Sequence, residues 1–289
     1  MIINMMFQKN KKIGLALGSG SARGFVHIGV IKVLERNNIP IDYIAGTSMG
    51  ALIGGLYAAT KDIAYIEKLA LDTDWKRMIM LLDPSFGNGF IAGDKIKAFI
   101  RDSLCGKKSF SDLKIPFSAV ATDIIAGEPV VFRDGDLAKA IRASISMPFV
   151  FQPISFKEKI LCDGALSMPV PVSEVLGMGA EYTIAVDLDS GYFKQKRSKP
   201  QDNFMDMGNN VVMLLSSHLA KENTKEADLV LIPVVGDVEW NSFGSKKLTA
   251  DLIARGEKIM EEALPRYFEA MEPKTLRRRF AEFLNKPFV

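Results

Sequence analysis

The chain has 289 residues, 48% hydrophobic and 25% charged, a balance that suits one large globular α/β domain or two small ones with a sizeable core. A net charge of +3, carried by scattered basic residues, lacks the basic stripe that a phosphate backbone requires, so nucleic acid is not expected as a partner. No apolar run approaches the ~20 residues of a membrane-spanning helix, the weakly apolar stretch before the first strand does not read as a secretory leader, and Cys105 and Cys162 read as two reduced thiols without metal-ligand spacing. The expected location is the cytoplasm.

In chain order, the apolar run Ile13–Leu17 stops at Gly18 as a buried strand does. From Arg23 to Asn37 a helix is predicted, with Phe25, Ile28, Ile31 and Leu34 forming its core stripe at three-residue spacing. A second short strand is predicted over Ile41–Ala45. The helix that follows, Ser48–Ala59, is rich in small residues (Gly50, Ala51, Gly54, Gly55, Ala58) and must pack close to its neighbours. Further strands are predicted at Phe117–Thr122, Val130–Phe132, Lys159–Cys162, Tyr182–Val186 and Leu229–Pro233, and helices at Asp136–Ser144, Phe204–Lys221 and Lys246–Ala270. This alternation predicts a three-layer α/β/α sandwich with a mostly parallel central sheet. The last strand comes late, which argues for one continuous domain. Ser190–Asn203 reads as an exposed polar loop. The apolar Met78–Leu82, followed by Gly87, Gly89 and Gly93, makes Trp75–Phe90 either a mobile cover or a piece of core.

Three places carry chemistry. Gly46-Thr47-Ser48-Met49-Gly50 is a G-x-S-x-G between a predicted strand and a predicted helix. A serine at such a turn is held in strained geometry with its hydroxyl pushed out of the sheet, and the chain passes close to itself where the glycines stand. The helix after it turns the positive end of its dipole toward the serine. Gly18-Ser19-Gly20-Ser21-Ala22-Arg23-Gly24 is a second strand-to-helix loop whose free N–H groups suit an anion, either a phosphate or an acyl-transfer oxyanion. A dinucleotide fingerprint competes here: Gly18 and Gly20 fit it, but position 23 is arginine and the last glycine falls at Gly24, while Asp42 stands at the distance of a ribose-binding acid. The third is Asp163-Gly164-Ala165, directly after a strand, where an open α/β sheet places its ligands; an ordinary Asp-Gly turn is the plain alternative.

Taken together, the elbow GTSMG, the loop GSGSARG and the later DGA resemble the patatin-like phospholipase family, as do the segments RGFVHIGVIKVLE and RASISMPFVFQPI. The resemblance runs from about Lys12 to Asp189, within a domain expected to span 12–289, and 204–289 resembles an extension that adds helices and one strand. It implies a serine-dependent lipid acyl hydrolase working through a dyad, Ser48 as nucleophile and Asp163 as its base, with oxyanion donors on Gly20, Ser21 and Met49. Gly18, Arg23, Gly24, Gly46, Gly50 and Gly164 would support the motifs, with Arg23 bracing the loop or a phosphate head group. The implied substrate is a lipid or fatty-acyl ester, and neither metal nor organic cofactor is called for. One departure stands out: the family's loop is G-G-G-x-[RK]-G, and this chain has Ser19 and Ser21 where glycines are common. Of the two histidines, His218 offers a Ser48–Asp163–His218 triad as the alternative, whereas His27 reads as helix packing. The tail Thr275–Leu284, with Leu276, Phe280, Phe283 and Leu284 on one face and Arg277–Arg279 between, suits an anionic membrane surface at the inner face, or docking on the body or on a second copy in a homodimer. A nucleotide-binding oxidoreductase and a catalytically silent regulatory protein on the same fold remain as alternative functions.

Overall fold

A computed structural model describes residues 11–75, 94–105, 108–195, 204–239, 242–243 and 245–272. Its strands are β1 (Ile13–Leu17), β2 (Tyr43–Thr47), β3 (Phe117–Asp123), β4 (Glu128–Phe132), β5 (Ile154–Phe156), β6 (Lys159–Asp163), β7 (Tyr182–Val186) and β8 (Leu229–Leu231). The helices are α1 (Val26–Arg36), α2 (Met49–Thr60), α3 (Ile63–Asp72), α4 (Asp94–Phe99), α5 (Leu137–Ser144), α6 (Val172–Gly177), α7 (Phe204–Asn223) and α8 (Lys246–Met271). All eight strands form one sheet in the order β5-β6-β3-β2-β1-β7-β8, with β4 also on β3.

The strand residues dictate the layers. Side chains alternate across a strand, and β1 and β7 place large residues on one face and small ones on the other, with Ile44 and Ala45 of β2 following the same division. Ile13, Leu15, Leu17, Ile44, Tyr182, Ile184 and Val186 join the main core beneath α1, α2, α3 and α8. Ala16, Ala45 and Ala185 face the opposite way, where Val172 and Val175 of α6 and Ala220 of α7 cover them. The three-layer sandwich follows. Its sheet is mixed: β3-β2-β1-β7-β8 is parallel, and β4, β5 and β6 form an antiparallel wing on β3.

That wing positions two of the predicted residues. On β3, Val120 pairs with Thr47 of β2 and with Val131 of β4, and Ala121 pairs with Val130 of β4 and with Asp163 of β6. Since β4 fills one edge of β3 from Ala119 to Asp123, β6 takes up the other edge where β2 leaves it. The carboxyl ends of β2 and β6 therefore meet head to head, with Ser48 one residue beyond Thr47.

Several boundaries differ from the sequence-based ones. The second strand runs Tyr43–Thr47, because pairing with β1 begins at Gly14 opposite Tyr43, and Ile41 is buried by packing before the strand starts. The first helix opens as a 3₁₀ turn at Ser21–Phe25. The loop expected to be exposed from Ser190 starts buried: Ser190 is 7% and Tyr192 6% exposed. Trp75 belongs to the core, 5.5 Å from the Phe25 ring and donating to Ala70 O. The rest of the proposed cover and the tail Thr275–Leu284 lie outside the described residues.

Candidate active site

Ser48 follows β2 with φ 56° and ψ −120°, a conformation that L-residues seldom adopt. The neighbouring glycines allow it. A Cβ on Gly46 would come within 2.6 Å of Ala51 Cα, and one on Gly50 would strike the carbonyls of Leu17 and Gly18. The backbone is also clamped, since Ser48 N donates to Ser144 Oγ at 2.8 Å and that hydroxyl donates to Val120 O at 2.6 Å. Ser48 Oγ in turn donates to Asp163 Oδ2 at 2.6 Å. The other carboxylate oxygen, Oδ1, accepts from Ala165 N at 2.9 Å as Gly164 opens a short 3₁₀ turn. Asp163 is further held through its backbone, where N donates to Ser146 O at 2.9 Å and O accepts from Thr122 Oγ1 at 2.9 Å.

Asp163 is 4% exposed, and burial pushes its carboxyl up to about 7, against the opposing hydrogen bonds from Ser48 and Ala165. The buried carboxylate of Asp189 adds a smaller push in the same direction. A base poised near neutrality is suited to proton transfer at physiological pH. Burial beside Asp163 also raises the thiol of Cys162 to about 11, which keeps it protonated.

The N–H groups of Gly20, Ser21 and Met49 donate no hydrogen bond to another described residue, and Gly20, Ser21, Ser48 and Asp163 line one pocket with Met147, Asn209 and Met213. Ser21 holds φ 49°, a left-handed conformation that the glycine usual in the family would adopt without strain. Gly18 anchors the loop's start, donating to Val186 O at 3.0 Å, and Gly24 lies against the Met49 side chain.

Arg23 braces this loop from within and is 1% exposed. Its Nε donates to Gly20 O at 3.1 Å, Nη1 to Leu188 O at 3.0 Å and Nη2 to Asp189 Oδ1 at 3.1 Å, and the guanidinium lies 4.4 Å from the Tyr192 ring centroid. Asp189 also accepts from Ser19 Oγ, and from Ser216 Oγ of α7 at 2.8 Å. These bonds hold the buried guanidinium against the loop, the arrangement a brace requires.

Other expectations shift. His218 is exposed on α7. His27 Nε2 donates to Gly18 O at 2.8 Å, and complete burial lowers its pKa to about 4, so the ring is neutral. Asp42, the candidate ribose ligand, sits at the amino ends of the strands and accepts from Ile13 N and Lys12 Nζ, at the far end of the sheet from the glycine loop. The sequence reading missed Ser144, Asp189 and Asn209. Asp189 alone carried a usable signal, being an acid just past a strand's carboxyl end, as Asp163 is. Among the described residues no cluster of three or more His, Cys, Asp or Glu side chains suits a metal, and no helix is long and apolar enough to cross a membrane.

Comparison with known proteins places this geometry in a family. An uncharacterized NTE family protein of Mycobacterium tuberculosis is 41% identical over 179 residues, covering 62% of this chain and 49% of that protein. A protein named lysophospholipase NTE1 from Scheffersomyces stipitis is 35% identical over 187 residues, covering 63% of this chain and 12% of that one. The chain thus spans about half the length of the mycobacterial relatives it matches. Among solved structures, VipD from Legionella pneumophila superposes with a TM-score of 0.62 over 89% of this chain and 67% of that one, at 14% identity, a likeness of fold. Residues 15–176, which hold the loop after β1, the elbow at Ser48 and Asp163, match the model of patatin-like phospholipases, and the chain belongs to that family.

Proposed function

We propose that the protein is a serine-dependent acyl hydrolase that cleaves the ester bond of a lipid through Ser48 and Asp163. The observation that carries this reading is the 2.6 Å hydrogen bond from Ser48 Oγ to Asp163 Oδ2 at a strained elbow, beside three N–H groups that donate to no other described residue. In the proposed reaction Asp163 takes the hydroxyl proton as Ser48 Oγ attacks the ester carbonyl carbon. The N–H groups of Gly20, Ser21 and Met49 receive the oxyanion, and loss of one such donor typically costs about 3 kcal/mol. Collapse of the tetrahedral intermediate expels the alcohol, which leaves with the proton from Asp163, and the acyl group stays on Ser48. Water, deprotonated by Asp163, then releases the fatty acid and restores the hydroxyl. No step requires His218. The family match and a relative named as a lysophospholipase support a lipid as substrate.

The test is hydrolysis of p-nitrophenyl esters of graded chain length, with covalent labelling by a fluorophosphonate probe. Turnover and labelling that both vanish in Ser48→Ala are expected. Turnover that persists in a cleanly folded Ser48→Ala protein would refute the reading.

A further inference from the structure

Helix α7 lies beyond the segment that the family model matches, and it supplies a wall of the pocket through Asn209, Val212, Met213 and Ser216. Ser216 is committed to Asp189, and Val212 and Met213 are apolar. Asn209 is different. It is 2% exposed, and neither its amide oxygen nor its amide nitrogen has a hydrogen-bond partner among the described residues. Buried side-chain amides are nearly always paired, and leaving one unpaired is costly, so such a group beside reactive residues marks a contact completed by a ligand.

The chemistry of the amide narrows what completes it. Nδ2 donates and Oδ1 accepts. Ester and phosphodiester oxygens only accept, so they would leave Oδ1 stranded, and a hydrocarbon chain satisfies neither atom. A hydroxyl both donates and accepts. In an acyl ester, the acyl half carries only its carbonyl, which the N–H groups of Gly20, Ser21 and Met49 are free to take, so the hydroxyl belongs to the alcohol half.

We infer that Asn209 is a specificity-determining residue that reads a free hydroxyl on the alcohol half of the scissile ester. This rests on the acyl-hydrolase reading above. It predicts that an ester whose alcohol carries a neighbouring hydroxyl is cleaved in preference to one of the same shape without it, because the second leaves a buried amide unpaired in the bound state.

A matched pair isolates the effect: the 2-hydroxyethyl and propyl esters of one fatty acid, which differ by OH against CH₃. The full chain should prefer the hydroxyethyl ester in kcat/KM by about ten- to a hundredfold. In Asn209→Leu the ratio should fall to about one. Asn209→Ala, which cannot overpack the pocket, should do the same. Melting temperature separates this from a structural role: removing an unpaired buried amide should leave it unchanged or raise it, whereas a residue needed for folding would lower it in both variants. An unchanged ratio in the variants, no preference in the wild type, or lowered melting temperatures in both variants would overturn the inference while ester hydrolysis itself stood. Hydrolysis of neither ester, nor of p-nitrophenyl esters, would remove the acyl-hydrolase reading, and this inference with it.

Discussion

Ser144 on α5 holds the main chain of Ser48, its Oγ accepting the Ser48 N–H at 2.8 Å while donating to Val120 O at 2.6 Å. One hydroxyl thus ties the elbow to β3 in a fully buried setting. Ser144→Ala should strand both a buried N–H and a carbonyl and cost about 1–3 kcal/mol of stability. It should also release the strained turn, so kcat should fall at least about tenfold with KM little changed, as expected when a reacting group loses its position. Thermal denaturation alongside steady-state kinetics checks this. Unaltered kcat in a destabilised protein would mean the clamp serves folding alone.

Ser48 and Asp163 act in the same step of the proposed mechanism, so their losses should not add. Ser48→Ala and Asp163→Asn should each lower kcat by about 10⁴-fold or more, and the double variant should be no worse than either. His218→Ala should keep most activity. If the double variant falls orders of magnitude below both single ones, the two side chains do not form a unit.

The raised carboxyl of Asp163 sets a pH dependence. As the proposed base it would work only when ionised, so kcat/KM should rise about tenfold per pH unit up to a midpoint near 7 and then level off. Stability should move the other way. The folded value of about 7 lies above the unfolded 3.8, so the folded protein binds the proton more tightly, and stability is lost as pH climbs from 4 to 7. Asp163→Asn removes that loss, and its stability relative to wild type should grow across this window by up to about 4 kcal/mol. Paired melting curves at pH 4.5 and 8 measure it. A constant difference between the two proteins would contradict a raised carboxyl.

Arg23 and Asp189 form a buried pair whose geometry a simple cation cannot reproduce. Arg23→Lys keeps the charge but loses the separate bonds to Gly20 O and Leu188 O, so activity should drop at least about tenfold although the net charge is unchanged. Arg23→Met leaves Asp189 buried without its cation and should cost about 3–5 kcal/mol, and adding Asp189→Leu should recover part of that. Chemical denaturation of wild type, Arg23→Met, Asp189→Leu and the double variant gives the coupling. Additive losses would show that the two side chains are independent.

The parts of the site that could be read from sequence are those built from neighbours in the chain. The elbow around Ser48 is visible because an apolar strand, two crowded glycines and a small-residue helix stand in a row, and Asp163 because it ends a strand beside Gly164. The hidden parts come from packing. Ser144 is one serine near a helix end, and Asn209 is one polar residue in a helix whose apolar positions point several ways. Nothing near Asn209 in sequence records that it meets the site, and Ser144, although inside the family-like segment RASISMPFVFQPI, has no spacing that ties it to the elbow. β5, three residues long, has too few side chains to show alternation. Asp42 misled because spacing in a glycine motif says nothing about which end of the sheet a residue occupies.

Helices α1 and α8 touch through their backbones, since a Cβ on Gly29 would meet the main chain at Ile253 and Glu257, and one on Gly256 would meet Val26 O. The helix that begins behind the glycine loop is thus roofed by one lying some 70 residues past the end of the family match, with Lys32 bridging Glu67 and Glu257 beside the contact. It follows that the matched stretch is not a portable cassette. Excised after Gly177, it would lose β7, the partner of β1, and would bare the closely fitted face of α1 to water, so an engineer moving this chemistry into another protein must carry α8 along with the motifs.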